Sequence, residues 1–588
     1  MLQVDNKQKI NLTDEQLEYI NSTQNVVLKA CPGSGKSTAI AYKFLKLTKN
    51  WKCKYSGVAL LSFTNVASEE LNDKIKFINE NSTGVLNPHY NGTIDSFLNY
   101  ILLRFGYLLF KRRPLIVMDV DKTIYKVWNS QCYQTCLSRN VDFYFSIDKK
   151  LYKNNEEVVC NCINKNSLTY CNAFYNHLFN NGVILQNNVY CALYELFTKY
   201  PQIVDAIKNR YPIIIVDEAQ DTSKEQMAIF DILNKKGIIF NYVGDPDQAI
   251  YEWRNADSSK FIEKYNSNKF IPLKLTINNR SSQLICDATK IFSNELSQEK
   301  NYLSNSPYKD LRMKPIILLY EKSSIQDLKE WFLSKVNSLN IQNSGTNIAI
   351  VHRKKIYSET DIKDLWKTPL TRMLAEASYE WYLGKRKIAY EKCLLILYDL
   401  IYAEYKNFNI NHISSKSFGK LNLSFEYLCN LFLKNLITPM ATLDDWLKRS
   451  IVMINNFLTS NKLVHRKSIK AEELIKIKSR DKSHKNFKNI ELYKFFQKTK
   501  KENYVYSTIH GVKGATFDAL MLVVNSKTGS TLTPKVLLDS DKNTEMARLA
   551  YVAMTRPKQL LVVATYKSDK YNYNVFFDKQ IWEYIEIN

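Results

Sequence analysis

Two short stretches carry residue types that could do chemistry on a phosphate. The first is CPGSGKST, Cys31 to Thr38, in a chain with only 15 glycines among 588 residues. Gly33 and Gly35 leave room for an anion against the backbone, Lys36 supplies charge for it, and Ser37 and Thr38 supply hydroxyls. The second is DEAQD, Asp217 to Asp221, which opens with two adjacent carboxylates. Phosphoryl transfer needs such a set: amides and a lysine around the β and γ oxygens, Ser37 and Asp217 for Mg²⁺, and Glu218 to polarise water.

Both stretches need elements that hold them still. VVLKA (Val26 to Ala30) is an apolar run that predicts a buried strand, and STAIAYKFLKL (Ser37 to Leu47) has apolar residues at helical spacing. A strand, a glycine-rich turn and a helix together place backbone amides and the positive helix end around a phosphate. Ala30 stands where the GxxxxGK[ST] pattern has its first glycine, so the loop is Ala30, Cys31, Pro32, Gly33, Ser34, Gly35, Lys36, Ser37 and Thr38. Taken alone it could be a tight structural turn. Ile213 to Val216 predicts a second buried strand, whose C-terminal end delivers Asp217 and Glu218. A lone acid pair there could be a solvated sheet edge, but the two motifs together favour a nucleotide site.

With YVGDPDQAIYEWRNAD (242 to 257) added, these motifs resemble the UvrD/Rep/PcrA group of superfamily 1 DNA helicases. Further stretches resemble that family's motifs in order: LTDEQ (12 to 16), LLSFTNVASEEL (60 to 71), GTIDSF (92 to 97), LTINNRSS (275 to 282), STIHGVKGATFDAL (507 to 520) and EMARLAYVAMTRPK (545 to 558). The resemblance implies an α/β fold of two RecA-like P-loop lobes, parallel sheets flanked by helices, with two mainly helical insertions. It implies ATP and Mg²⁺ as cofactors, with Lys36, Asp217, Glu218, Gln248, Arg280 and Arg556 catalytic. Gln16 would read the adenine edge, Gln248 would sense the γ-phosphate, and Arg280 and Arg556 would act as arginine fingers. Single-stranded DNA and its junctions with duplex would be the partners, met by Phe63, Thr93, Tyr251, Trp253, Arg254, Thr508 and His510. Movement would run 3′ to 5′, in repair, recombination or defence.

Three departures from the family pattern stand out. Asn279 replaces the tyrosine that the family stacks on adenine, Thr516 replaces a glutamate expected near the ribose, and Asp95 stands where a histidine is common. Two other readings of function stay open: a nucleic-acid-activated ATPase subunit serving a separate nuclease, and a nucleic-acid-binding structural component with weak turnover. An RNA substrate is a further variant, because stacking platforms tolerate either sugar.

Bulk composition agrees with a polyanionic partner. Lys and Arg number 82 against 58 Asp and Glu, a formal net charge of +24. Coding bias toward Lys, Asn, Ile and Tyr is the plainer explanation of the charge alone. No apolar run approaches a membrane span and the start is polar, which predicts a cytoplasmic protein without membrane contact. Eleven cysteines without an export signal read as reduced thiols. Six of them cluster (Cys132, Cys136, Cys160, Cys162, Cys171 and Cys191), with spacings poor for a metal knuckle.

The gaps between motifs divide the chain. Residues 1–96 and 200–272 are expected to form the first lobe, 97–199 an insertion, 273–365 and 500–588 the second lobe, and 366–499 a second, helical insertion ending in a dense basic stretch. TNIAIVHRKK (346 to 355) predicts a strand leading to Arg353.

Overall fold

The computed structural model describes residues 11–79, 84–109, 116–118, 144–148, 150–153, 156–157, 183–251, 256–297, 299, 302–321, 325–353, 366, 368–401, 417–418, 423–463, 475, 489–496, 504–524, 532, 537, 544–567, 573 and 577–587. Trp253, Arg254 and five of the six clustered cysteines, Cys132, Cys136, Cys160, Cys162 and Cys171, lie outside these residues. The chain separates into two compact units, one formed by residues 1–355 with 503–588 and the other by 356–502.

The first unit is built on two six-stranded sheets. In the first, β1 (Val26–Ala30), β2 (Val58–Ser62), β3 (Tyr90–Thr93), β4 (Ile213–Val216), β5 (Ile239–Gly244) and β6 (Ile271–Leu275) run in the order β6-β1-β5-β4-β2-β3. Every pairing is parallel. Both faces are therefore covered, and the central strands read as continuous apolar runs, as parallel sheets require. Successive residues point to opposite faces. Val27, Ala59 and Leu61 pack with the helices Ile94–Phe105, Val189–Lys199 and Lys224–Lys235. Val26, Leu28, Val58 and Leu60 pack on the other side with Ala39, Ile40 and Phe44 of the helix Lys36–Thr48.

The second sheet repeats the plan. β7 (Ile316–Tyr320), β8 (Ile348–His352), β9 (Val505–Thr508), β10 (Phe517–Val523), β11 (Pro557–Tyr566) and β12 (Glu583–Ile587) run β9-β8-β10-β11-β7-β12, again all parallel. The helix Glu545–Met554 feeds directly into β11 and is buried along almost its whole length. These are the two RecA-like α/β lobes implied by the sequence.

Two expected boundaries shift. β6 pairs with β1 through Ala30 opposite Leu275, so the first lobe extends through residue 275, past the boundary drawn at 272. The helices Ile94–Phe105 and Val189–Lys199 contribute Phe97, Leu98, Ile101, Leu193 and Leu196 to the first lobe's core, so the stretch 97–199 is not wholly an insertion. Their apolar faces match that core, and each fully buried Leu, Ile or Phe adds about 1.5–3 kcal/mol to its cohesion.

The unit 356–502 has its own core. Leu374, Cys393, Leu397, Leu428, Phe432, Trp446, Ile454 and Leu492 close it, from helices Pro369–Tyr382, Arg386–Ile401, Phe425–Lys434, Leu443–Ser460 and Leu492–Phe496. Among the described residues, no helix of the chain is long and apolar enough to cross a membrane.

Candidate nucleotide and nucleic-acid site

The loop after β1 is shaped by two glycines. Gly33 has φ +75° and Gly35 φ +79°, backbone that side chains with a Cβ rarely adopt. A Cβ on Gly33 would sit 2.5 Å from Asn278 Oδ1, and one on Gly35 would sit 2.6 Å from Gln16 Nε2. Ala30 needs no such freedom, because it is the last, strand-paired residue of β1. Gly35 caps the helix Lys36–Thr48 without a side-chain hydrogen bond, which leaves the first amides of that helix to an outside acceptor.

β4 ends beside this loop. Lys36 Nζ donates to Glu218 Oε1 at 2.6 Å and lies 3.8 Å from Asp217 Oδ1. Glu218 holds φ +53°, a left-handed conformation that costs a non-glycine residue about 1–3 kcal/mol and marks a strained position. The strain aims its carboxylate at the lysine, and Gln220 Nε2 donates to the other oxygen at 2.6 Å. Burial drives both acids toward neutrality, but the outcomes differ. Asp217 is pushed up to about 6 by burial, with Lys36 drawing it back. For Glu218, Lys36 and Lys513 outweigh the burial and hold it well below the usual carboxylate range.

The second lobe brings cations to the same place. Arg556, on the turn between the helix Glu545–Met554 and β11, donates from Nη2 to Gln248 Oε1, and Gln248 Nε2 donates to Asp245 Oδ2 at 2.6 Å. Arg280 donates to the Thr555 carbonyl at 3.0 Å. Burial, then the neighbouring Arg556, pull Arg280 down to about 9. A buried and a half-buried guanidinium that repel each other make a place for an anion.

One cavity of about 940 Å³ gathers the groups from both lobes. Ala30 through Thr38, Asp217, Glu218, Gln248, Arg280 and Arg556 line it, as do Phe63, Tyr251 and His510. The ring of Tyr251 lies 4.8 Å from that of Phe63 and 5.8 Å from that of His510, so three rings form one edge of the cavity. Ser37 and Asp217 offer hard oxygens suited to Mg²⁺. Among the described residues no cluster of three His, Cys, Asp or Glu forms a metal cage, and Mg²⁺ held with a phosphate needs only one or two protein oxygens.

Three expected residues lie apart from the cavity lining. Gln16 is buried behind the loop, where Nε2 donates to the Ser34 carbonyl at 2.8 Å and Oε1 accepts from Thr13 N at 3.0 Å. Thr93 caps the helix Ile94–Phe105 by accepting from Ser96 N. Thr508 Oγ1 accepts from Gly511 N at 3.3 Å, bracing the turn that presents His510. Asp95 also has a structural place, accepting from Tyr190 Oη at 2.7 Å and Gln226 Nε2 at 3.0 Å.

Other residues at the site had no assigned role in the sequence reading. Lys513 reaches from the second lobe to Asp221 Oδ2 at 2.5 Å and the Gln248 carbonyl at 2.9 Å, and sits 4.7 Å from the centre of the Tyr251 ring. Arg548 donates from Nε to the Ala249 carbonyl at 2.6 Å. Lys513, Asp221 and Arg548 lay within quoted motifs, but their pairing across lobes leaves no mark on linear spacing.

Comparison with known proteins agrees with this geometry. Residues 12–269 match the UvrD/REP helicase N-terminal domain. Over that stretch the chain is similar to the UvrD/Rep/PcrA-like helicases. This UvrD-like chain is 26% identical over 373 residues to a Probable DNA helicase II homolog of Mycoplasma capricolum, covering 60% of the chain and 50% of that protein. It is 23% identical over 392 residues to the ATP-dependent DNA helicase PcrA of Staphylococcus epidermidis, covering 63% and 52%. A 97-residue segment is 47% identical to the RecBCD enzyme subunit RecB of Borreliella burgdorferi, covering 16% of the chain and 8% of that protein. The UvrD-like chain spans about half the length of the helicase II and PcrA relatives.

Proposed function

We propose that this chain is an ATP-dependent motor on single-stranded DNA, a helicase or translocase moving 3′ to 5′. The observation that carries the reading is the single cavity in which Lys36 and the acids of the first lobe face Arg280 and Arg556 of the second. A triphosphate held there touches both lobes, so its binding draws them together and its hydrolysis releases them.

Each residue then has a task. The amides of Gly33 to Ser37 cradle the phosphates, and Lys36 leaves Glu218 to meet the terminal oxygens. Loss of that partner frees the Glu218 carboxylate to take a proton from the attacking water. Mg²⁺, held by Ser37 and Asp217, would supply charge neutralisation on the phosphate oxygens. Arg280 and Arg556 stabilise charge that develops during transfer. Gln248 bridges Arg556 and Asp245, so a change at the phosphate reaches the turn that leads to Tyr251. Phe63, Tyr251 and His510 provide a stacking edge for bases, and Trp253, Arg254, Thr93 and Thr508 are proposed to support the strand beside it. Gln16 retains one free N–H and one lone pair for a base edge. The net charge of +24 suits a DNA partner.

A second reading, an ATPase subunit serving a nuclease, draws support from the segment similar to a RecBCD subunit. Unwinding of duplexes bearing a 3′ or a 5′ single-stranded tail tests the proposal. ATP-dependent unwinding of the 3′-tailed duplex is expected. DNA-stimulated hydrolysis with no unwinding of either would move the assignment to the subunit reading.

A further inference from the structure

We propose that Tyr308 is the stacking platform for the base of the bound nucleotide, on a loop outside the motifs that hold the phosphates. The assignment rests on the nucleotide reading of the cavity. Among the described residues, four tyrosine, phenylalanine or histidine rings line that cavity: Phe63, Tyr251, His510 and Tyr308. The first three already face one another as a row. Among the described residues, no ring stacks on Tyr308, and its side chain makes no hydrogen bond. It is half-buried at the cavity wall.

The loop that presents this ring is stapled to the residues around Asn279. Asn278 N donates to the Leu303 carbonyl and Asn305 N to the Asn278 carbonyl, both at 2.8 Å. Ser304 Oγ and Ser306 Oγ donate to the Ser281 carbonyl at 2.6 and 2.9 Å. Tyr308 N then donates to Ser306 Oγ at 3.1 Å, which sets the start of the turn carrying the ring. Asn305 also donates to Asn279 Oδ1 at 3.3 Å. Such a bonded loop fixes a ring before any ligand arrives, so little ordering entropy is lost on binding.

The position fits a base. Asn279 Nδ2 and Gln16 Nε2 share the Ser34 carbonyl as acceptor, at 3.4 and 2.8 Å. Two side-chain amides thus meet at the Ser34 carbonyl of the phosphate loop, Asn279 at the cavity lining beside the Tyr308 loop and Gln16 buried behind it. Amides can pair with the edge of a heterocycle, while an adjoining aromatic face takes its plane. Asn279 itself has no ring to offer. Tyr308 supplies the flat surface from a neighbouring segment.

The test compares ATP with inorganic tripolyphosphate, which has phosphates but no base, by equilibrium binding to the full chain with Mg²⁺. Tyr308→Ala is expected to weaken ATP binding about tenfold while leaving tripolyphosphate within twofold. Tyr308→Phe, which keeps the face, should restore ATP binding and shows that the loop still folds. Equal loss of both ligands, unchanged ATP binding, or a loss confined to single-stranded DNA would overturn the assignment. Wild-type protein that binds neither ligand would overturn the nucleotide reading and the assignment with it. A normal response to tripolyphosphate with an unaltered ATP affinity in Tyr308→Ala would overturn the assignment alone.

Discussion

Replacing Lys513 by methionine should destabilise the two-lobed unit by about 1–2 kcal/mol at pH 7, and the cost should depend on pH. The ammonium and its partner Asp221 are 8% and 0% exposed as side chains, with Nζ to Oδ2 at 2.5 Å. The other carboxylate oxygen of Asp221 has no hydrogen-bond partner. Without the lysine, a buried charge is left uncompensated, a change that costs about 3–5 kcal/mol in comparable sites. Protonation sets a ceiling on that cost. Burial pushes Asp221 up to about 6 with Lys513 in place, and neutralising the carboxyl takes about 1.36 kcal/mol for every pH unit between that value and the working pH. The ceiling on the added electrostatic cost is therefore about 1.4 kcal/mol at pH 7 and close to zero at pH 5.5, where the carboxyl is already mostly protonated. Urea unfolding of wild type, Lys513→Met, Asp221→Asn and the double variant at both pH values measures this. The double variant should recover most of the loss, because no charge is then stranded. A loss as large at pH 5.5 as at pH 7, or two losses that simply add, would refute the reasoning.

Three further outcomes are expected. Lys43 is 1% exposed, and burial, with Lys46 adding to it, pushes its ammonium down to about 7 from 10.5. The unfolded chain then binds more protons between those values, so unfolding free energy should rise by about 1–2 kcal/mol from pH 7 to pH 9, and Lys43→Met should flatten that rise. Gly33→Ala forces a Cβ onto a φ of +75° and into Asn278 and Arg280, and nucleotide affinity measured by titration should fall at least about tenfold. Arg556→Ala should lower kcat for ATP by about 10³-fold or more in steady-state assays; a change below tenfold would remove its role in the transition state.

Much of this was legible in the chain because the relevant elements are local. The apolar runs Val26–Ala30 and Ile213–Val216 are strands, as their composition predicts, and each ends where its chemistry begins. The helix Lys36–Thr48 follows the glycine loop within a residue of its expected start. Lobe boundaries were less legible, since the apolar periodicity of Ile94–Phe105 announces a buried face without saying which core buries it. The competing roles of a hydroxyl are equally hidden. Thr93 caps a helix, Thr508 braces a turn, and either assignment suits a threonine. Contacts between distant segments were hidden altogether. Lys513 and Asp221 are joined only through the meeting of the two lobes, and Tyr308 reaches the cavity on a loop that resembles no motif.

The most direct measurement is steady-state ATP hydrolysis with Mg²⁺, with and without single-stranded DNA, for wild type, Lys36→Ala and Glu218→Gln. Lys36 pairs with Glu218 at 2.6 Å in the site as it stands, so both substitutions strike the group of residues that the account places around the phosphates. Strong stimulation by DNA is expected in the wild type, and loss of about 10²-fold or more in both variants. Hydrolysis indifferent to DNA, or undiminished in Lys36→Ala, would contradict it.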